Sequence, residues 1–307
     1  MHPLPVLRAW SALRNKAGTS GLESSVPGAD LSQAGIYACL GGMKWTFHWV
    51  MGGLAGVLTA GALLSGCTTV PETGRAQFNI MDASQETQLG LSSFNQLKQQ
   101  TPISANATAN AMLQRVGKRI AAVAPLPGAQ WEFVLFESKE VNAFCLPGGK
   151  VGVFTGILPI TKDEAGLATV IGHEVAHAVA RHGGERMTHA MASGLAAQLL
   201  QEGMQGSRYQ AAAMVAYGAV SKVGFELPYS RAHESEADYM GLLYMARAGY
   251  DPEQAVAFWE RFAAFNRQQG ASQGLAFLRT HPLDEKRIMD LKAAMPRAKA
   301  EYRPGAR

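Results

Sequence analysis

Residues 161–182 read TKDEAGLATVIGHEVAHAVARH, and this stretch decides how the whole chain is interpreted. Apolar residues recur through it at the spacing of an α-helix, and Thr161 is a candidate N-cap at its start. His173 and His177 are four residues apart, so they share one face of the predicted helix. The stretch therefore predicts a largely buried helix that presents two imidazoles on the same side.

Two histidines at this spacing can bind one metal ion, because both rings reach it at about 2.0–2.1 Å. Glu174 follows His173 directly and projects beside the ion rather than onto it. From that position it can take a proton from a metal-bound water and pass it to a leaving amine. The motif predicts a zinc peptidase with His173 and His177 as ligands and Glu174 as general base. A helix with two unrelated histidines is the alternative.

A catalytic zinc site needs a third protein ligand, and residues 230–238 (SRAHESEAD) offer candidates. Glu234 and Asp238 are four residues apart and share a helix face. This spacing allows Glu234 to bind zinc while Asp238 accepts a hydrogen bond from a ligand histidine. Glu236 lies off that face, and we interpret it as part of a solvated helix surface. His233 is a rival ligand that points in a different direction.

The pattern HEVAH followed by SRAHESEAD resembles that of the HtpX-like and CAAX-prenyl-protease-like zinc metallopeptidases, a gluzincin group. The chain looks most like compact bacterial periplasmic members of the BepA and LoiP type, and the resemblance covers roughly residues 72–295. It implies a mainly helical α+β fold, with a zincin-like metallopeptidase core and a small β-sheet before the active-site helix. It also implies that Glu234 is the third zinc ligand and that unfolded or misassembled envelope proteins are the substrates.

Two further motifs belong to the same resemblance. Asn142, Ala143 and Phe144 form a short strand expected along the cleft, where an exposed edge could pair with an extended substrate. An ordinary sheet strand is an equal alternative. His281 is expected to occupy the open zinc position in a resting state, to help bind the tetrahedral intermediate, or to be merely structural. Arg287 is expected to stabilise an oxyanion or to pair with an acidic neighbour.

The N-terminal region is predicted to be a targeting segment rather than a folded domain. Residues 43–66 combine one lysine, an apolar run and a small-residue end, as in a signal peptide. LSGC at 64–67 resembles the bacterial lipobox, in which the cysteine, here Cys67, is lipidated. A membrane-spanning helix is the alternative. We expect residues 1–42 to be a non-native extension, and the lipid to anchor the protein at the periplasmic face of the outer membrane, or alternatively of the inner membrane.

The remaining chain is expected to form one catalytic domain. Its predicted segments are an extended tether, a single metallopeptidase domain and a short tail, at residues 67–81, 82–297 and 298–307. Three strands are predicted before the active-site helix, at residues 131–136, 141–146 and 150–154. Two soluble helices are expected to pack on the core between the zinc motifs. We identify no helical-repeat module for docking to a large assembly.

Composition excludes some functions and leaves others open. Of the 307 residues, 47% are hydrophobic and 17% are charged, which is typical of a globular protein. The net charge of +4 is small, and the basic residues do not cluster into a run. Nucleic acid is therefore not an expected partner. The competing functions are a chaperone-like lipoprotein with a structural zinc and a zinc hydrolase of a non-peptide bond. Glu174 argues against the first, because a structural site needs no base.

Overall fold

The computed structural model describes residues 67–222, 227–269, 276–282 and 285–305, so the predicted signal peptide and N-terminal extension lie outside the described residues. The strands are β1 (Cys67–Thr69), β2 (Ala76–Phe78), β3 (Glu132–Phe136), β4 (Ala143–Leu146) and β5 (Lys150–Phe154). The helices are α1 (Ala83–Gln100), α2 (Ala107–Ala121), α3 (Leu158–Thr161), α4 (Glu164–Val179), α5 (His182–Gly203), α6 (Gln210–Ser221), α7 (Leu227–Arg247), α8 (Glu253–Gln269), α9 (Ala276–Thr280) and α10 (Glu285–Glu301). This mainly helical fold with small sheets confirms the predicted fold class.

A small three-stranded sheet precedes the active-site helix, as the sequence predicts, and the structure shows that its strand order is β3-β5-β4. β3 and β5 run parallel, with Phe136 opposite Phe154, and β4 runs antiparallel to β5, with Cys145 opposite Val151. Strands β3 and β4 begin later than predicted, at residues 132 and 143 rather than 131 and 141. Within this sheet, β4 is hydrogen-bonded on one side only, so it is an edge strand next to α4.

Helix α4 is the centre of the molecule, and every residue from Gly166 to Val179 is buried. A helix that is surrounded on all sides needs apolar residues all round, as this one has apart from its site residues. Its N-terminus is capped by Asp163, whose side chain accepts a hydrogen bond from the backbone N–H of Gly166 at 2.9 Å. The predicted cap at Thr161 is therefore wrong, because Thr161 ends the preceding helix α3.

The sequence predicts one helix through residue 182, but the structure breaks it at Arg181. That residue adopts the left-handed conformation, with φ 52° and ψ 33°, and α5 begins at the next residue. The conformation costs about 1–3 kcal/mol in a non-glycine residue. The Arg181 guanidinium offsets the cost by donating to Glu86 Oε1 at 2.8 Å and to the carbonyl of Met81 at 2.7 Å. Because of this break, the side chain of His182 points in a direction that it could not have on a continuous helix.

The segment predicted to be an extended tether has more structure than expected. β1 and β2 form a two-stranded sheet, and Val70 between them is part of the hydrophobic core. In the turn that follows, Glu72 forms an ion pair with Arg247, and Arg75 binds two carboxylates near the site. At the other end, α10 continues to Glu301, so the predicted tail begins inside a helix.

Helices α5 and α6 depart from the expectation that both pack on the core. The buried residues of α5 all lie in its first two turns, and α6 has no buried residue. Large apolar side chains are exposed along both helices: Met191, Leu195, Leu199, Val215 and Val220. In the part of the chain that the structure describes, no helix is long and apolar enough to cross a membrane.

Candidate metal centre and active site

The two helices that carry the predicted site residues touch through their backbones. A side chain on Gly241 of α7 would place its Cβ 2.7 Å from the backbone nitrogen of His173 in α4. A Cβ on Gly172 would lie 2.9 Å from the carbonyl oxygen of Gly241. Both separations are shorter than real Cβ contacts, so only glycine fits at this crossing. The close approach brings Glu234 and Asp238 of α7 to the histidines of α4.

Four side chains converge into one buried group of possible metal ligands: His173, His177, Glu234 and His281. Nε2 of His173 lies 3.1 Å from Nε2 of His177 and 3.1 Å from Nδ1 of His281. Oxygens of Glu234 lie 3.3 Å from each of the first two nitrogens and 2.9 Å from the third. Ligands of a tetrahedral zinc at about 2.0–2.1 Å stand about 3.3 Å apart. The donor set and its spacing therefore fit one zinc ion.

Asp238 accepts a hydrogen bond from the outer nitrogen of His173, with 2.9 Å between Oδ1 and Nδ1. This is the contact that the four-residue spacing from Glu234 predicts. Burial opposes protonation of His173, but its hydrogen bonds to Asp238 and Glu234 outweigh that effect and raise the pKa of the imidazole to about 9. A carboxylate in this position fixes the ring and makes it a more basic ligand.

Arg287 forms a bidentate ion pair with Asp238. Its Nε and Nη2 donate to the two oxygens of Asp238 at 2.6 and 2.8 Å. The guanidinium also stacks on Trp259, with Cζ 3.8 Å from the ring centre. Of the two roles expected for Arg287, the structure shows the pairing with an acidic neighbour.

Glu174 lies beside the four-ligand group, where a general base is expected. Its Oε1 is buried and makes no hydrogen bond to any described residue, and Nε2 of His281 is 3.3 Å away. Burial raises the pKa of Glu174 above its usual value, which suits a base that works near neutral pH. A buried carboxylate oxygen without a donor has the chemistry to accept a proton from a substrate or water.

His281 reaches the group from the C-terminal part of the chain. The backbone N–H of Phe277, at the start of α9, donates to the carbonyl of Val141 at 3.2 Å, which places α9 next to β4. His281 follows α9, and its two ring nitrogens face Glu234 and Glu174. The structure thus brings His281 into the fourth position of the ligand group, next to the base.

The strand predicted to bind substrate lies beside α4, but its side chains are mostly engaged. Ala143 is buried, while Asn142 and Phe144 are half-buried. The ring of Phe144 packs against those of Phe136 and Phe154, within 6.3 Å between centroids. A contribution of this strand to substrate binding would therefore come from its backbone.

Sequence reasoning missed the residues behind His177. Nδ1 of His177 lies 2.8 Å from Nδ1 of His182, and Nε2 of His182 lies 2.9 Å from Oε2 of Glu236. Glu236 is buried and also accepts a hydrogen bond from Nε of Arg75 at 2.8 Å. The interpretation of Glu236 as part of a solvated surface is therefore wrong, because α5 and the β1–β2 segment cover that face of α7.

His233 is not part of the ligand group. Its Nε2 lies 3.0 Å from an oxygen of Glu185, and its ring stacks on that of His182 with 3.9 Å between centroids. The rival assignment of His233 as a ligand is wrong, because the residue points toward α5. No sequence signal marks the break at Arg181, because arginine rarely adopts the left-handed conformation.

A buried group of two histidines and a glutamate around a base, held on two crossing helices, defines the class of zinc-dependent metallopeptidases. The model of the peptidase family M48 matches residues 107–295, and the chain belongs to this family. Zinc is accordingly its cofactor, and the chain is a metallopeptidase.

Relatives come from mitochondria and from bacteria. The chain is 34% identical to the mitochondrial metalloendopeptidase OMA1 of Schizosaccharomyces pombe over 264 residues, which cover 83% of this chain and 74% of that protein. It is 42% identical to the protein of the same name from Arabidopsis thaliana over 55% of this chain and 33% of that protein. It is 27% identical to the beta-barrel assembly-enhancing protease of Escherichia coli K12 over 76% of this chain and 48% of that protein.

Proposed function

We propose that this metallopeptidase is an endopeptidase that cleaves unfolded or misassembled proteins of the bacterial envelope. The observation that carries the catalytic part is the buried, undonated oxygen of Glu174 beside four converging ligand atoms. When bound, zinc lowers the pKa of a coordinated water toward about 7 and polarises a carbonyl group. His173, His177 and Glu234 would hold the metal, and Glu174 would take a proton from the attacking water and deliver it to the leaving amine.

The role of Glu174 is tested by Glu174→Gln in the full chain, with casein as substrate and zinc content measured in parallel. We expect about one zinc per chain in both proteins and a loss of cleavage of about 10²- to 10⁴-fold in the variant. Glu202→Gln, at the exposed end of α5, is the matched control and should cleave normally. Equal cleavage by wild type and Glu174→Gln would refute the assignment.

A substrate backbone can join the sheet at the outer edge of β4, opposite β5 and C-terminal to Val141, whose carbonyl accepts from Phe277. The carbonyl of Asn142 accepts from the N–H of Phe154, so the backbone of Asn142 faces β5. Backbone groups alternate along a strand, so those of Ala143 and Cys145 face the other edge. An extended peptide placed there would make main-chain hydrogen bonds with little regard for side chains, which suits unfolded substrates.

Substrate peptides with single N-methylated amides test this binding mode without changing the protein. We expect methylation to raise KM at alternate amides only, because a paired strand points every second N–H toward its neighbour. A methyl scan that affects every position equally, or none, would exclude pairing with β4. Cleavage of an unfolded protein but not of its folded form would support the proposed substrate class.

We further propose that His281 keeps the resting enzyme latent. Its Nδ1 fills the fourth position of the ligand group, and its Nε2 faces the base, so a substrate carbonyl can enter only when the ring turns away. The variant His281→Ala should bind zinc and cleave casein several-fold faster than wild type. Slower cleavage at unchanged zinc content would instead support a role in binding the tetrahedral intermediate.

The proposed location is the periplasmic face of the outer membrane, with a lipid on Cys67. The support is the LSGC pattern at residues 64–67 and the similarity to a bacterial protease whose name refers to β-barrel assembly. The lipid should appear as added mass on a peptide that begins with Cys67, and Cys67→Ser should move the protein to the soluble fraction. An unmodified Cys67 in membrane-bound protein would refute the anchor.

The chaperone-like alternative is distinguished in cells. If Glu174→Gln fully restored the envelope defect of a deletion strain, the function would be binding rather than cleavage. The proposed peptidase function requires that this variant fail to restore it.

A further inference from the structure

Behind His177 lies a chain of polar contacts that is separate from the Asp238 support of His173. It runs from His177 through His182 and Glu236 to Arg75, with consecutive contacts of 2.8, 2.9 and 2.8 Å. Its members come from four elements: α4, α5, α7 and the turn before β2. His182 and Glu236 are buried, so these contacts are not in competition with bulk water.

The direction of every hydrogen bond in this series of contacts is fixed by its two ends, the metal ligand His177 and the donor Arg75. His177 can offer the Nε2 lone pair to a metal only if its neutral ring carries the proton on Nδ1. That N–H then donates to Nδ1 of His182, which must be unprotonated. The remaining proton of His182 is on Nε2 and donates to Glu236, which also accepts from Arg75. One tautomer of each ring satisfies the whole chain.

Arg75 completes this series of contacts because its single guanidinium binds two buried carboxylates at once. Its Nη1 and Nη2 donate to Glu185 of α5 at 3.0 and 2.9 Å, while its Nε donates to Glu236 of α7. Two carboxylates from different helices would repel each other without a shared cation. The planar fork of arginine matches both, which a lysine cannot reproduce.

We infer that His182, Glu236 and Arg75 are positioning residues that fix the ring of His177 and thereby set the affinity for zinc. None of them touches the metal position or the substrate edge of β4. The remotest member, Arg75, is 161 residues from Glu236 in sequence and belongs to the segment predicted to be a mere tether. Docking of that segment is therefore coupled to the metal centre.

The experiment measures the zinc affinity of the full chain by equilibrium competition with a chromogenic chelator, well below the unfolding temperature. His182→Phe keeps an aromatic ring at this position but leaves the Nδ1 proton of His177 without an acceptor. We expect it to weaken zinc affinity about 10- to 100-fold, as loss of an outer partner of a metal-ligating histidine does. Glu236→Gln and Arg75→Lys should weaken it less, up to about tenfold.

Glu72→Gln is the matched control, since Glu72 lies in the same turn as Arg75 but pairs with Arg247, away from the metal group. It should bind zinc with wild-type affinity even if it lowers the unfolding temperature.

Two results would overturn the inference. One is wild-type zinc affinity in folded His182→Phe and Glu236→Gln. The other is an equal loss in Glu72→Gln and Arg75→Lys, which would mean that the turn acts only through general stability. Failure of the wild-type protein to bind about one zinc would instead refute the metal assignment itself, so the two failures are distinguishable.

Discussion

The two histidines of the metal group are supported in different ways. His173 donates directly to a carboxylate, Asp238, whereas His177 contacts a neutral imidazole, and the carboxylate of Glu236 comes one residue further out. A directly bonded carboxylate raises the pKa of His173, while burial leaves the pKa of His177 well below its usual value. One ring is therefore made more basic, and the other is oriented without added negative charge.

The arginines behind the two carboxylates differ in their surroundings as well. The side chain of Arg287 is 3% exposed and stacks on Trp259, while that of Arg75 is 29% exposed. The Arg287 support belongs to the core, and the Arg75 support lies near the surface. We therefore expect the first to contribute more to the stability of the domain, and the second to adjust how firmly zinc is held.

The largest effect that tests this contrast is expected from Asp238→Ala. Removing the carboxylate leaves the buried guanidinium of Arg287 without its main partner, which should lower the free energy of unfolding by about 3–5 kcal/mol. Glu236→Ala should cost less, because Arg75 keeps Glu185 and partial access to water. Urea unfolding of both variants provides the comparison. Equal losses would show that the two supports are energetically alike.

A smaller effect is expected at the crossing of α4 and α7, which positions both histidines relative to the acidic residues of α7. Gly241→Ala forces a methyl group against the backbone of His173, and overpacking of this kind costs about 1–3 kcal/mol. Zinc affinity should fall as well, since the ligands on the two helices move apart.

Gly218→Ala in α6 is the control for this substitution, because nothing lies within 4 Å of its added Cβ. Alanine favours a helix over glycine, so this variant should gain about 0.5–1 kcal/mol. The measurement is the unfolding temperature of Gly241→Ala and of Gly218→Ala. A Gly241→Ala protein that is as stable as wild type and binds zinc with unchanged affinity would contradict the tight crossing.

The smallest expected effect is a difference in sensitivity to salt. Raising NaCl from 0.1 to 1 M shortens the Debye length from about 10 to about 3 Å. The destabilisation caused by Arg75→Gln should then shrink, by less than about 1 kcal/mol, while that of Arg287→Gln should not change. Arg115→Gln, which breaks an exposed pair with Glu164, calibrates an ordinary surface contact. The same salt response for Arg75 and Arg287 would remove the distinction between surface and core.

Local spacing accounts for the parts of the site that the sequence predicted. His173 and His177 share a face because they are four residues apart, and the same rule relates Glu234 to Asp238. The presence of the three strands before the active-site helix followed from short apolar runs between turn residues. In each case the deciding contacts lie within one element, so a sequence pattern contains them.

The supports of His177 were not predictable in that way. Glu236 is two residues from Glu234, which turns it about 200° around the helix and onto the opposite face. The sequence cannot show that this face is covered by Arg75, which is far away along the chain. His182 was placed on a continuous helix, and the left-handed conformation of Arg181 has no signal in a residue type that rarely adopts it.

The glycine crossing has a consequence for anyone who would transplant this site into another scaffold. A graft of the two histidines, the base and the acidic pair would carry every chemical group and still fail in a host whose helices are spaced by side chains. Gly172 and Gly241 set the separation by backbone contact, which leaves no rotamer to adjust. A transferable unit must therefore include the pair of helices with both glycines, together with His182, which supports His177 from the segment between them.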